Sequence, residues 1–262
     1  MSEGSEVRVE RQGPLAVWTI DRPDRLNALD RATVRELGRL CREAAEDRSL
    51  RAIIVTGSGD RAFCAGADLK ERQGMTDEDV RDFLGLYRAS FSAIDRLPVP
   101  TIAAINGVAF GGGLELALAC DFRVMHRTAQ IGLTETSLAI IPGAGGTQRL
   151  TRIVGEAQAK ELILFAQRVG AARALSLGMV HRVTEGDESV LDCARAFVTP
   201  LLGAAPIAIA SCLEAIDAAF EMSLESGLSV ERRCYERTLG TADRREALEA
   251  FAQKRVAVFK GQ

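Results

Sequence analysis

The most hydrophobic stretch of the chain, residues 102–119, is long enough to cross a bilayer, yet it carries Asn106, three consecutive glycines at 111–113 and Glu115. An acidic side chain in mid-span costs about 2.5–3.5 kcal/mol on insertion scales. A buried strand, a turn at Asn106 and Gly107, and an apolar helix opening at the glycines accommodate the same residues without that cost. The reading therefore excludes a membrane span and predicts a tight strand-to-helix junction beside an acidic residue.

The rest of the chain follows the same grammar. Apolar runs at 7–10 and 15–20 around Gly13 and Pro14 predict a hairpin. Asp30 is placed to cap a helix in which Val34, Leu37, Cys41 and Ala44 fall at helical spacing. A strand at 51–56 follows, then a helix from Thr76 or Asp77 to about Asp95, ended by Pro98 and Pro100. Further strands are expected at 101–105, 122–125 and 130–133, and helices at 151–165, 206–220, 228–238 and from about Arg244, the last with Asp243 and Glu246 as a capping box. Strands and helices alternate to about residue 198 and only helices follow. The fold class is α/β with a helical appendage, and the division expected is 1–198 and 199–262.

With 262 residues, 47% of them apolar, the chain is able to bury a sizeable core. A net charge of −3 gives no bulk attraction to nucleic acid or to an anionic membrane. The six cysteines form no C-x-x-C pair and there are only two histidines, so no metal site is expected and the thiols are read as reduced and mostly buried. The polar, acidic first ten residues lack the apolar core of a targeting signal, and a cytoplasmic protein is expected.

Four features carry chemistry. The sequence FGGGLE at 110–115 places unpaired N–H groups of a first helical turn beside Glu115, where an anion is favoured. An oxyanion on a bound carbonyl would be stabilised there. Glu135 precedes an apolar, glycine-rich run at 137–146, a setting that raises a carboxyl pKa. The small-residue loop FCAGAD at 63–68 is suited to supply a second amide. Gly57 to Ala62 fits the spacing G-x-G-x-x-A of a dinucleotide loop, but no helical pattern follows it. Arg31, Arg35, Arg39 and Arg42 share one face of the first helix, which reads as a solvated face balanced by acids, or as a weak RNA-binding comb.

Together, RLNAL at 25–29, FCAGADLK at 63–70, residues 98–121, and Glu135 with IPGAGGTQRL at 141–150 resemble the crotonase family of enoyl-CoA hydratases and isomerases. The motifs at 67–72, 97–105, 114–120 and 138–142 are similar to those of the subgroup that hydrates 3-methylglutaconyl-CoA, a member of which also binds RNA through a basic first helix. The resemblance implies a spiral core of ββα turns with C-terminal helices that assemble a homo-oligomer, a trimer or hexamer. It implies that the amides of Ala67 and Gly112 bind the thioester oxygen, and that Glu115 activates a water while Glu135 handles the proton at C2. It places Arg25, Ala28, Ala65, Asp68, Leu69 and Lys70 along the coenzyme A channel, Gly143 in the pocket wall, and Lys254 or Lys260 at the nucleotide phosphates. No cofactor is implied beyond the coenzyme A of the substrate. A general short-chain enoyl-CoA hydratase is the alternative within the family.

Overall fold

A computed structural model describes residues 6–262. The hairpin is formed by β1 (Val7–Gln12) and β2 (Leu15–Ile20), which pair antiparallel around Gly13. A short 3-10 turn at Pro23–Arg25 leads to α1 (Arg31–Glu46), capped by the Asp30 carboxylate accepting from the Thr33 N–H. Then come β3 (Ala52–Gly57), β4 (Ala62–Cys64), α2 (Leu69–Arg72) and α3 (Asp77–Asp95). A reciprocal Thr76–Asp79 capping box opens α3.

The apolar run of 102–119 resolves into β5 (Thr101–Ile105), β6 (Val108–Phe110) and α4 (Gly112–Ala119). β7 (Phe122–Met125) and β8 (Gln130–Gly132) follow, then a 3-10 turn at Glu135–Leu138, α5 (Gly146–Val154) and α6 (Glu156–Leu164). The chain continues through β9 (Val169–Gly170), α7 (Ala171–Ser176), β10 (Arg182–Val183) and α8 (Val190–Leu202). It ends in α9 (Pro206–Ala218), α10 (Leu224–Leu239) and α11 (Ala242–Gln253).

Two sheets organise these elements, ordered β1-β2-β3-β5-β7-β10 and β4-β6-β8-β9. β3, β5 and β7 run parallel in the first; β4, β6 and β8 run parallel in the second. β3, β5 and β7 of the first sheet each pass to a short strand of the second (β4, β6 and β8) and on to helical structure, giving three successive ββα turns. Both faces of the larger sheet are buried at its inner strands β2, β3 and β5. Ile53, Val55, Ala103 and Ile105 point into the main core, and the alternating Ala52, Ile54, Ile102 and Ala104 pack against Val190, Ala194 and Val198 of α8. This two-sided burial is why these strands read as continuous apolar runs.

Some expectations need correction. The helix expected over 151–165 is broken at Gly155, whose φ of 80° ends α5 and starts α6. The cap of α11 is Thr241, whose hydroxyl accepts from the Arg244 N–H, and not an Asp243–Glu246 box. Asp243 is buried and accepts instead from the amides of Lys260 and Gly261, at 2.7 and 2.8 Å. Position 198 lies inside α8, and the chain leaves that helix at Gly203. After Gly59 the chain enters β4 and not a helix, which removes the dinucleotide reading. Among the described residues, no single helix is long and apolar enough to cross a membrane. The reading of the first ten residues as free of a targeting signal concerns positions 1–5 in part, which lie outside the described residues.

Candidate active site

Parallel β4, β6 and β8 lie side by side, and the candidate residues leave their C-terminal ends: Ala67 three residues after β4, Gly112 and Glu115 after β6, Glu135 after β8. This is how positions 68 residues apart in sequence come to share one rim, at the strand ends where open α/β sheets bind ligands. The Gly111 N–H donates to Gly132 O at 2.9 Å, carrying the β6–β8 pairing up to the edge of the site.

The two glutamates are buried and each is held by the other's neighbourhood. Glu115 Oε1 accepts from the amides of Ala144 and Gly146, both at 2.8 Å. The glycine-rich run after Glu135 therefore serves as the clamp for Glu115. Glu135 lies against Gly111, where a Cβ would come 3.1 Å from Oε1. Its Oε2 is buried without a hydrogen-bond partner, an expensive state that structures rarely carry without function. Burial pushes the Glu135 carboxyl up to about 7, against a bond from its own backbone, and the nearby Glu115 carboxylate adds to the rise. Glu115 is also raised by burial, opposed by the two amides and by Arg149. The expectation that its helix position favours the anion is thus outweighed by desolvation, and the clamp amides restore part of the anion's stability.

The amides of Ala67 and Gly112 stand next to each other: a Cβ built on Gly112 would lie 3.7 Å from Ala67 N. Their neighbours are engaged, Gly66 N–H with Cys64 Sγ and Asp68 N–H with Leu29 O, whereas these two N–H groups have no acceptor within the described residues. Gly112 is the first residue of α4, so its orphan amide is intrinsic to the helix end. Glycine is required for this approach. A Cβ on Gly113 would meet Cys64 O at 2.0 Å, and Gly66, at φ 104°, would put one 2.8 Å from Phe110 O.

Among the other expected contacts, Arg25, Ala28 and Ala65 come together: Ala28 N–H donates to Arg25 O at 3.0 Å, and Ala65 N–H donates to Leu26 O at 3.0 Å. Leu69 and Lys70 open α2 on the exposed side of the same loop. Asp68 lies in the same loop. Its carboxylate is committed to the Lys70 amide and, at 3.0 Å, to Arg22 Nη2. Gly143 faces Leu84 of α3, at 2.6 Å from a built Cβ. Lys254 closes α11 and Lys260 lies in the tail pinned to Asp243, both in the helical C-terminal part.

Two arginines were missed by sequence reasoning. Arg22 joins Asp30, Asp68 and Glu6, tying the 3-10 turn, α1 and the Ala67 loop together. Arg123 is buried at the far end of α4 and donates to Cys120 O and Met179 O, both at 2.7 Å. Nothing in a lone arginine of a short strand announces a helix anchor. The arginine comb is partly neutralised. Arg31 pairs with Asp79 and Arg39 with Glu36 and Glu43.

The sequence matches the enoyl-CoA hydratase/isomerase family over residues 10–262. The chain belongs to that family. It is 45% identical to YngF of Bacillus subtilis over 247 residues, 94% of this chain and 95% of the relative. It is 42% identical to human mitochondrial methylglutaconyl-CoA hydratase over 273 residues, 100% of this chain and 79% of the relative. An enoyl-CoA hydratase structure from Bacillus anthracis superposes with a TM-score of 0.95 at 41% identity, covering 98% of this chain and 100% of that one. The crotonase fold expected from the motifs is the fold observed.

Proposed function

We propose that the protein is an enoyl-CoA hydratase that adds water across, or removes it to form, the C2–C3 double bond of an acyl-CoA thioester. The observation that carries this reading is the convergence of two buried glutamates on a rim that also holds two adjacent, unpartnered amides.

The chemistry follows from the geometry. Addition of water to a conjugated thioester drives negative charge onto the carbonyl oxygen. The amides of Ala67 and Gly112 would meet that charge, at about 2.7–4 kcal/mol per donor. Glu115, in which two clamp amides oppose the rise caused by burial, takes a proton from the attacking water at C3. Glu135, raised towards neutrality, delivers a proton to C2. Oxygen adds at one carbon, hydrogen at the other, and one proton passes from the water to Glu115. The charge and both protons are handled by protein groups, so the proposed reaction calls for no metal or redox group.

For the acyl group we propose 3-methylglutaconyl-CoA. The motifs at 67–72, 97–105 and 138–142 support this choice, as does the 42% identity to a relative of that name. A short unbranched enoyl-CoA is the alternative. The Arg25–Ala28 and Ala65–Lys70 segments supply a wall for the coenzyme A portion. The test is hydration of 3-methylglutaconyl-CoA against crotonyl-CoA, followed by loss of conjugated-thioester absorbance. Glu115→Ala and Glu135→Ala are each expected to lower kcat by about 10²–10⁴-fold. Unchanged turnover in both variants refutes the mechanism; preference for crotonyl-CoA refutes the substrate alone.

A further inference from the structure

We propose that Tyr87 is a positioning residue that locks the Ala67 and Gly112 amides into a single unit. The inference rests on the reading of those amides as the thioester-oxygen site.

Tyr87 lies on the buried face of α3 between Phe83 and Phe91, with ring centroids 4.7 and 5.3 Å away. Its two aromatic neighbours on that face are phenylalanines, which bring no polar atom into the packing. A buried hydroxyl costs free energy unless it is bonded, so its presence calls for a reason. The Tyr87 hydroxyl donates to Leu29 O at 2.9 Å. Leu29 is the residue that braces the Ala67 loop. Its N–H donates to Gly66 O and its carbonyl accepts from the Asp68 N–H, both at 2.8 Å. Gly66 C=O and Ala67 N–H belong to one planar peptide. Holding the carbonyl end through Leu29 therefore aims the Ala67 N–H in the opposite direction.

The same ring touches the second donor. Tyr87 Cε1 lies 3.1 Å from where a Cβ on Gly112 would stand, so the ring edge sits against the first residue of α4. One side chain from a third element thus contacts Gly112 directly and reaches Ala67 through a single carbonyl. Neither loop is able to shift without the other, and fixed spacing is what two donors on one oxygen require.

The test compares wild type, Tyr87→Phe and Tyr87→Leu with both 3-methylglutaconyl-CoA and crotonyl-CoA as substrates and 2,4-hexadienoyl-CoA as an absorbance probe of carbonyl polarisation. Tyr87→Phe keeps the ring and is expected to fold. Its kcat should fall by about 3- to 10-fold, the worth of one neutral hydrogen bond, with KM changed by less than about two-fold. The red shift of the bound probe should shrink, and amide exchange in residues 64–70 should quicken. Tyr87→Leu, which also takes the ring edge from Gly112, should reduce the red shift further. Wild-type kcat and a full red shift in Tyr87→Phe overturn the proposal, and so does a lowered Tm with an unmoved red shift. A wild-type protein that hydrates neither substrate and does not shift the probe overturns the site reading itself.

Discussion

Glu135 is where a single residue's environment has the widest consequences. Its carboxyl, at 4.5 in an exposed setting, is pushed up to about 7 in the fold. In the hydration direction Glu135 must carry a proton and Glu115 must not, so kcat/KM should fall on both sides of a maximum. The alkaline limb should be centred near pH 7 and be absent from whatever residual activity Glu135→Gln retains, as a pH–rate profile would show. The same shift acts on stability. A carboxyl raised in the native state holds its proton while the unfolded chain loses it, so stability declines as pH rises from about 4.5 to about 7 and levels off above. Glu135→Gln removes that penalty. It should match wild type near pH 4.5 and exceed it at pH 8 by up to roughly 3 kcal/mol, read from denaturant midpoints at the two pH values. The raised pKa was legible in the apolar, glycine-rich sequence around Glu135. The clamp on Glu115 was not, because residues 144 and 146 reach it from 29 and 31 positions away.

α4 is the element on which the site depends, and both of its ends are built into the core. At its start, Gly113 lets the helix close on β4. Gly113→Ala would force a Cβ to within 2.0 Å of Cys64 O, so the helix must back away from the Ala67 loop. We expect a loss of about 3–5 kcal/mol, measured by thermal or denaturant unfolding, together with loss of activity in whatever remains folded. At its end, Arg123 supplies a cation to carbonyls that the helix leaves unpaired. Arg123→Met keeps the apolar stem and strips the donors from Cys120 O and Met179 O. A loss of about 2–4 kcal/mol is expected, with the substrate preference unchanged. The strand-turn-helix and its start at the glycines were readable from the run at 102–119. The anchor at its end was not, since the carbonyls of residue 179 and of the helix terminus meet only in three dimensions.

On the scale of the whole molecule, the helical C-terminal part is only partly covered by its own chain. Leu224 is 80% exposed and Phe251 86% exposed, with Ile216, Phe220 and Tyr235 exposed nearby in sequence or on the same helices. Apolar exposure of this kind fits the trimer or hexamer that the family resemblance implies. Light scattering is expected to give a mass three or six times 28.2 kDa, and Phe251→Glu should shift the protein to smaller species. The tail beyond α11 is fastened by Asp243 through two backbone amides. Asp243→Ala should speed hydrogen exchange at the Lys260 and Gly261 amides, while Glu246 still holds the Val258 amide and the two sheets keep their protection.

Local pattern, taken by itself, determined a good deal of this protein. Two-sided burial writes β3 and β5 as unbroken apolar runs, the caps at Asp30 and Thr76 mark helix starts, and the glycines at 111–113 mark a close approach. These signals survive in one dimension because each depends on neighbours a few residues away. Tertiary structure alone decided that Ala67, Gly112, Glu115 and Glu135 share a rim, because that follows from parallel pairing of β4, β6 and β8. It alone decided that Asp68 serves Arg22, that Asp243 holds the tail and that Tyr87 spans two loops. Hydrogen bonds between distant positions leave no periodic trace in the chain, and the free energy that selects them exists only once the sheets have closed.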